Sequence, residues 1–114
     1  MRSIPDLLAD ARDYARRAAS YVDRMDFPAF AADTMRRQAV YFCLMVVGEA
    51  CDQILLHKQP VSPEIPWREI KAMRNFIVHM YWDIDDEIVY SVARHDAIVL
   101  ADQLDEVLRQ LAPR

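Results

Sequence analysis

Apolar residues recur at intervals of three and four along most of the chain. Leu7, Leu8, Ala11, Tyr14, Ala15, Ala18, Tyr21 and Val22 form the first such stripe, the pattern of an amphipathic helix. Pro5 suits its opening turn and Phe27-Pro28 breaks it, so this helix is expected to start after Ile4 and to end near Asp26. A second, long helix is expected from about residue 28 to 57. Met35, Ala39, Phe42, Cys43, Val46, Ile54 and Leu55 mark its apolar side, while Val40, Tyr41, Leu44, Met45 and Val47 make its middle apolar nearly all round. Such a helix is either central to the fold or buried against a second subunit. Gly48 within it allows another backbone to approach closely.

Pro60, Pro63 and Pro66 make residues 58–66 a loop, because proline lacks the N–H that regular structure needs. A third helix is expected from Trp67 to about Met80, then a turn at Trp82-Asp83-Ile84-Asp85, with Asp83 or Asp85 capping the next helix. That fourth helix covers roughly residues 86–111 and carries Ile88, Val89, Val92, Ile98, Val99, Leu104, Val107, Leu108 and Leu111. No strand alternation, internal repeat or low-complexity segment interrupts this reading. It predicts a single all-α domain over residues 1–114, four antiparallel helices with a tight third-to-fourth connection.

Composition agrees. One glycine in 114 residues and abundant Ala, Leu, Met, Arg, Gln and Glu favour helix. A domain this small has an unfavourable ratio of surface to volume, which pairing two copies would ease. The net charge of −4 argues against a protein that coats nucleic acid by bulk positive charge; a local basic cleft remains compatible with it. Cys43 and Cys51 stand eight apart, about 12 Å along a helix and too far for a disulfide. They read as small buried apolar groups, and no other cysteine or nearby histidine completes a zinc set. The amino-terminal stretch is too charged for a signal peptide, and the longest apolar run, 39–48, is too short to span a bilayer. A cytoplasmic protein with no membrane association is expected.

The chemistry concentrates in Met73-Arg74-Asn75-Phe76-Ile77-Val78-His79-Met80-Tyr81. At about 100° per residue, Ile70, Met73, Phe76, Ile77 and Met80 fall together toward the core, and Arg74, Asn75 and His79 fall on the side away from it. Arginine is a permanent cation suited to a phosphate, and histidine moves protons near neutral pH. This pair suits one reaction without a metal. RNA carries its own nucleophile, the 2′-OH; a base removes its proton, the oxygen attacks phosphorus, and a cation stabilises the phosphoryl oxygens. His79 is the candidate base or acid, Arg74 the phosphate clamp and Asn75 a positioner. One motif histidine per chain implies that two chains supply the acid and the base. Against this, an isolated Arg–His pair at this spacing is far more often a surface or capping pair, and a tyrosine beside a helix end, like Tyr81, is usually a half-buried packing residue.

Three further segments accompany that motif. Val47-Gly48-Glu49-Ala50 closes the apolar part of the second helix, Ile65-Pro66-Trp67-Arg68-Glu69-Ile70 leads into the third, and Trp82-Asp83-Ile84-Asp85 comes after it. Together with Arg-x4-His-x-Tyr they make the chain resemble HEPN-domain ribonucleases, most closely the HepT-like toxins, over nearly its whole length. The resemblance implies a four- to five-helix HEPN bundle and a homodimer whose cleft holds Arg74 and His79 of both subunits. It implies metal-independent endonuclease action on RNA, as the toxin of a type VII toxin–antitoxin pair with no cofactor. The implied partner is an MntA-like minimal nucleotidyltransferase antitoxin that transfers AMP to the motif tyrosine, here Tyr81. AMP there would place bulk and negative charge in the path of an RNA phosphate. Met80 stands where many relatives have a smaller residue. Glu49 is open between a carboxylate that positions the cleft and a helix–helix hydrogen bond or dimer salt bridge.

Two other classes stand beside this one. The bundle could be a non-catalytic regulatory partner of a minimal nucleotidyltransferase, which the acidity and the apolar second helix suit. A metal- or cofactor-bearing four-helix protein fits poorly: the paired Glu-x-x-His sets are missing, and His57 and His95 have no evident partners.

Overall fold

The computed structural model describes residues 2–58 and 62–112. Every regular element among them is helical. Helix α1 spans Ile4–Tyr21, with the Ser3 hydroxyl accepting from the Asp6 N–H at 3.2 Å and Pro5 in the first turn, where a missing N–H costs nothing. It ends earlier than the expected Asp26, and the chain turns through Arg24 at φ 58°.

The long second helix of the sequence reading is two helices. Helix α2 covers Phe27–Ala32 and α3 covers Thr34–Leu56. Asp33 separates them in an extended conformation (φ −104°, ψ 92°). Its carboxylate accepts from the Arg36 N–H at 2.9 Å, so the break gains a cap for the new helix. Helix α4 spans Trp67–His79, close to expectation. A single 3-10 turn, Tyr81–Asp83, leads to α5 at Asp86–Ser91, which Asp85 caps by accepting from the N–H groups of Glu87 and Ile88 at 3.0 and 3.4 Å. Helix α6, Ala97–Leu111, continues from α5 through one wide π turn at Val92–Asp96. The expected fourth helix is therefore one rod with a bulge. Pro60 lies outside the described residues.

Helix α1 packs between α3 and α6, α2 crosses α3 and α5, and α4 lies on α3. Leu8, Ile54, Leu104, Val47 and Cys51 fill one core. Phe30, Val22, Val40, Val89 and Ile77 fill a second. The second is bolted by Tyr41 donating to Asp86, whose carboxylate also faces Arg37 Nε at 3.6 Å. Burial raises the Tyr41 hydroxyl to about 12, reinforced by that carboxylate. Helix α3 is the axis of both cores. It is long and apolar enough to cross a membrane, with a mean hydropathy of 1.6 over its best window, which the run at 39–48 understates. It lies packed against α1 and α4, and the central helix of a bundle has the same composition.

Not all of that apolar surface is covered. Met35, Phe42 and Leu56 are exposed, although Met35 and Phe42 belong to the apolar side expected to lie against the core or a second subunit. About the helix axis they fall within roughly 60° of one another, with Glu49 and Gln53 among them. They form one open stripe along the length of α3.

Candidate functional site

Helix α4 rests chiefly on α3. Ile77 is its only fully buried residue, seated in the second core. Trp67 anchors the other end by donating its indole N–H to the Ser62 carbonyl at 2.9 Å. Ile70, Met73 and Phe76 are half-buried and Met80 is exposed, so the expected core-facing side is only partly covered. Between α4 and α6 lies a groove of about 520 Å³, floored by Leu44 and Val47 and edged by Met73 and Leu100.

Arg74 sits where α4 touches α3. A Cβ placed on Gly48 would stand 2.3 Å from Arg74 Cβ and 2.6 Å from its Cγ. Only glycine lets the two helices meet at this separation. The arginine stem is thereby pressed along α3, and its head meets two carboxylates one helical turn apart. One guanidinium nitrogen donates to Glu49 Oε2 at 2.9 Å, and the other lies 3.6 Å from Asp52 Oδ2. Lys71 Nζ faces the second Asp52 oxygen at 3.5 Å, and Gln53 donates to the free Glu49 oxygen at 3.2 Å. Arg74 Nε is buried with no partner among the described residues. The side chain of Arg74 is 21% exposed. The wheel reading, which set Arg74 on the side away from the core, is corrected: it faces α3, because Gly48 leaves room for it there.

Glu49 is thus the helix–helix partner of Arg74, one of the roles left open for it. Asp52 and Lys71 complete the cluster and were not singled out from sequence. Their signal was present, since Asp52 lies one turn from Glu49 and Lys71 lies three residues before Arg74.

His79 closes the last turn of α4 and is exposed. It lies about 140° round the helix from Arg74 and makes no hydrogen bond or ion pair among the described residues. Asn75 is half-buried between them in angle. Tyr81 is exposed rather than half-buried. Its ring stacks on Trp82 at 4.3 Å between centroids, and Trp82 is itself 83% exposed. One chain therefore brings Arg74 and Glu49 together, and leaves His79 and Tyr81 on open surface, with half-buried Asn75, at the same end of α4. A second copy would have to add to this face for two imidazoles to meet.

The remaining reactive groups are accounted for by structure. Cys43 and Cys51 are buried free thiols, and burial pushes Cys51 up to about 12, which leaves it inert. His57 caps α3 and lies 3.0 Å from the Arg2 carbonyl, while His95 is exposed in the π turn. No His, Cys, Asp and Glu cluster suited to a metal occurs among the described residues.

The family model described as Ribonuclease HepT-like matches residues 11–107. Among similar curated proteins, one from Thermococcus cleftensis is named "Probable ribonuclease HepT"; it is 27% identical over 106 residues, covering 93% of this chain and 96% of its own. Two from Methanocaldococcus jannaschii are each named "Putative RNase". One is 26% identical over 110 residues, covering 96% of this chain and 95% of its own. The other is 24% identical over 110 residues, covering 96% and 91%. No solved structure matches the chain significantly.

Proposed function

The chain belongs to the Ribonuclease HepT-like family, and from that premise we propose that it is a metal-independent RNA endonuclease acting as a homodimer in the cytoplasm. The observation that carries this reading is the mounting of Arg74. Glycine contact, Glu49 and Asp52 fix the cation at the edge of the open α3 stripe, with exposed His79 on the same helix. A second copy laid on Met35, Phe42 and Leu56 would bury an apolar stripe that is costly to leave in water and bring two such ends of α4 into one cleft.

In that cleft one His79 takes the 2′-OH proton and the partner's His79 protonates the leaving 5′ oxygen. Arg74 neutralises the phosphorane oxygens. Glu49 is exposed enough to yield: ion pairs at such surfaces contribute roughly 0.2–1 kcal/mol, so a phosphate can replace it at little cost. Asp52 stays behind and keeps the guanidinium aimed. Asn75 hydrogen-bonds the substrate. The products are a 2′,3′-cyclic phosphate and a 5′-hydroxyl.

As a toxin, the enzyme needs a brake. Tyr81 is exposed beside the cleft, and AMP transferred to its hydroxyl by a nucleotidyltransferase antitoxin would set a phosphate where the substrate's must lie. Purified protein should cut RNA in EDTA and leave cyclic phosphate ends. Arg74→Ala should lower the rate by roughly 10²-fold or more with an unchanged helical spectrum. Intact mass after incubation with such a partner and ATP should rise by AMP units and fail to rise in Tyr81→Phe. The competing reading, a non-catalytic partner of the nucleotidyltransferase, draws on Arg74 being tied by two carboxylates. It predicts a stoichiometric complex and no cleavage.

A further inference from the structure

The proposed reaction leaves the aromatic pair after α4 without a task. Trp82 is 83% exposed and Tyr81 56% exposed, with rings 4.3 Å apart and tilted by 37°. An indole is among the most valuable groups to bury, yet this one stands in water with Tyr81 behind it. Its mount is firm. The Met80 N–H donates to the Phe76 carbonyl at 2.9 Å and the Asp83 N–H to the Met80 carbonyl at 2.8 Å. Ile84 packs into the second core and Asp85 caps α5. The indole is therefore held three residues beyond His79 by the same backbone that ends α4.

The charges nearby select what can bind there. Asp83, Asp85, Asp86 and Glu87 come after the ring in sequence. Asp85 is engaged as a cap and Asp86 with Arg37 and Tyr41. No lysine or arginine lies between Arg74 and Arg94. This segment has no cation of its own and offers a π face, which any nucleobase can use, while the phosphate is left to Arg74.

The geometry points to Trp82, backed by Tyr81, as the platform on which an unpaired base next to the scissile phosphate stacks. The substrate is then RNA that is single-stranded at the cut, since a base inside a duplex has no free face. This rests on the ribonuclease reading for its biological meaning. Binding, however, can be read without cleavage. Stacking of one base changes affinity by about 5- to 150-fold.

The test uses the full chain as wild type, Trp82→Ala and Trp82→Phe, with one oligoribonucleotide offered single-stranded or annealed to its complement. A copy with 2′-deoxyribose throughout serves as an uncleavable ligand. Its addition should quench tryptophan emission in the wild type as a single strand and not as a duplex. Trp67, hydrogen-bonded to Ser62, gives a constant background. Trp82→Ala should raise KM by about 5- to 150-fold with kcat within about threefold, and Trp82→Phe should recover most of the loss. Three results overturn the platform: no quenching by the single strand, an unchanged KM in Trp82→Ala, or a change in oligomeric state in Trp82→Ala, which would assign the ring to a subunit contact. Quenching with no cleavage by the wild type would instead refute the ribonuclease reading and leave the platform standing.

Discussion

The residue that decides most here is Gly48. Alanine in place of an ordinary helical glycine gains up to about 1 kcal/mol. At this position the added carbon meets Arg74 Cβ and Cγ at 2.3 and 2.6 Å. These atoms sit next to the backbone and cannot swing aside, so α3 and α4 must part. Overpacking of this kind costs about 1–3 kcal/mol, which outweighs the gain. Gly48→Ala should lower the melting temperature by several degrees, at roughly 4–8 °C per kcal/mol for a small domain. Adding Arg74→Ala should return only a minor part of that loss, because it removes Cγ and keeps the Cβ that stands 2.3 Å away, whereas adding Arg74→Gly removes both and should return most of it; thermal denaturation of the single and double variants reads the coupling. A glycine valued at sequence level for close approach is thus the reason an arginine can stand half-buried on a helix flank. The wheel missed that burial since it ranks a side by its residues and knows nothing of the hole in the facing helix.

The elements show where pattern suffices and where it does not. Helix α4 was legible to within a residue, from Pro66-Trp67 at its start to the turn before Asp85. The split of the second helix was not read from periodicity, because Pro28 suits a first turn and apolar spacing runs on through Asp33. The clue was Asp33-Thr34 with Arg36 behind it, an aspartate whose carboxylate can reach the N–H three residues on. That N–H holds the Asp33 carboxyl below its ordinary value, with the Arg36 side chain adding to the effect. A lowered carboxyl pKa stabilises the fold above the unfolded value of about 3.8, and this contribution is lost as pH falls through the folded value. Asp33→Ala should therefore melt below the wild type at pH 7. The difference should narrow as the pH is taken below 4, which paired melting curves across pH 2–7 will measure. The π turn at Val92–Asp96 left no mark in the sequence. One wide turn needs no special residue, only packing on both sides that shifts the register between α5 and α6.

At the scale of the molecule, the open stripe of α3 explains why a helix apolar almost all round belongs to so small a domain. The fold class can be read from composition and period together. Whether a second copy covers α3 cannot be read the same way, since Met35 and Phe42 look the same in a sequence whether they face a core or a copy. Phe42→Glu should give a helical monomer by sedimentation equilibrium and abolish RNA cleavage, although Phe42 lies on α3 and not among the reacting groups. The sequence singled out Arg74, Asn75, His79, Tyr81 and Glu49, of which the structure brings Arg74 and Glu49 together. Asp52 and Lys71 were passed over, although their spacing to Glu49 and Arg74 was visible, because charged residues on a helix ordinarily face water.

The central claim is that acid and base are the same residue from two chains. Heterodimers of one wild-type and one His79→Ala subunit, purified through two different tags, test it in a single cleavage assay. The account predicts activity no higher than about a tenth of the wild-type dimer, because a cleft with one imidazole lacks either its acid or its base. Half of wild-type activity would mean that each chain works alone, and would contradict it.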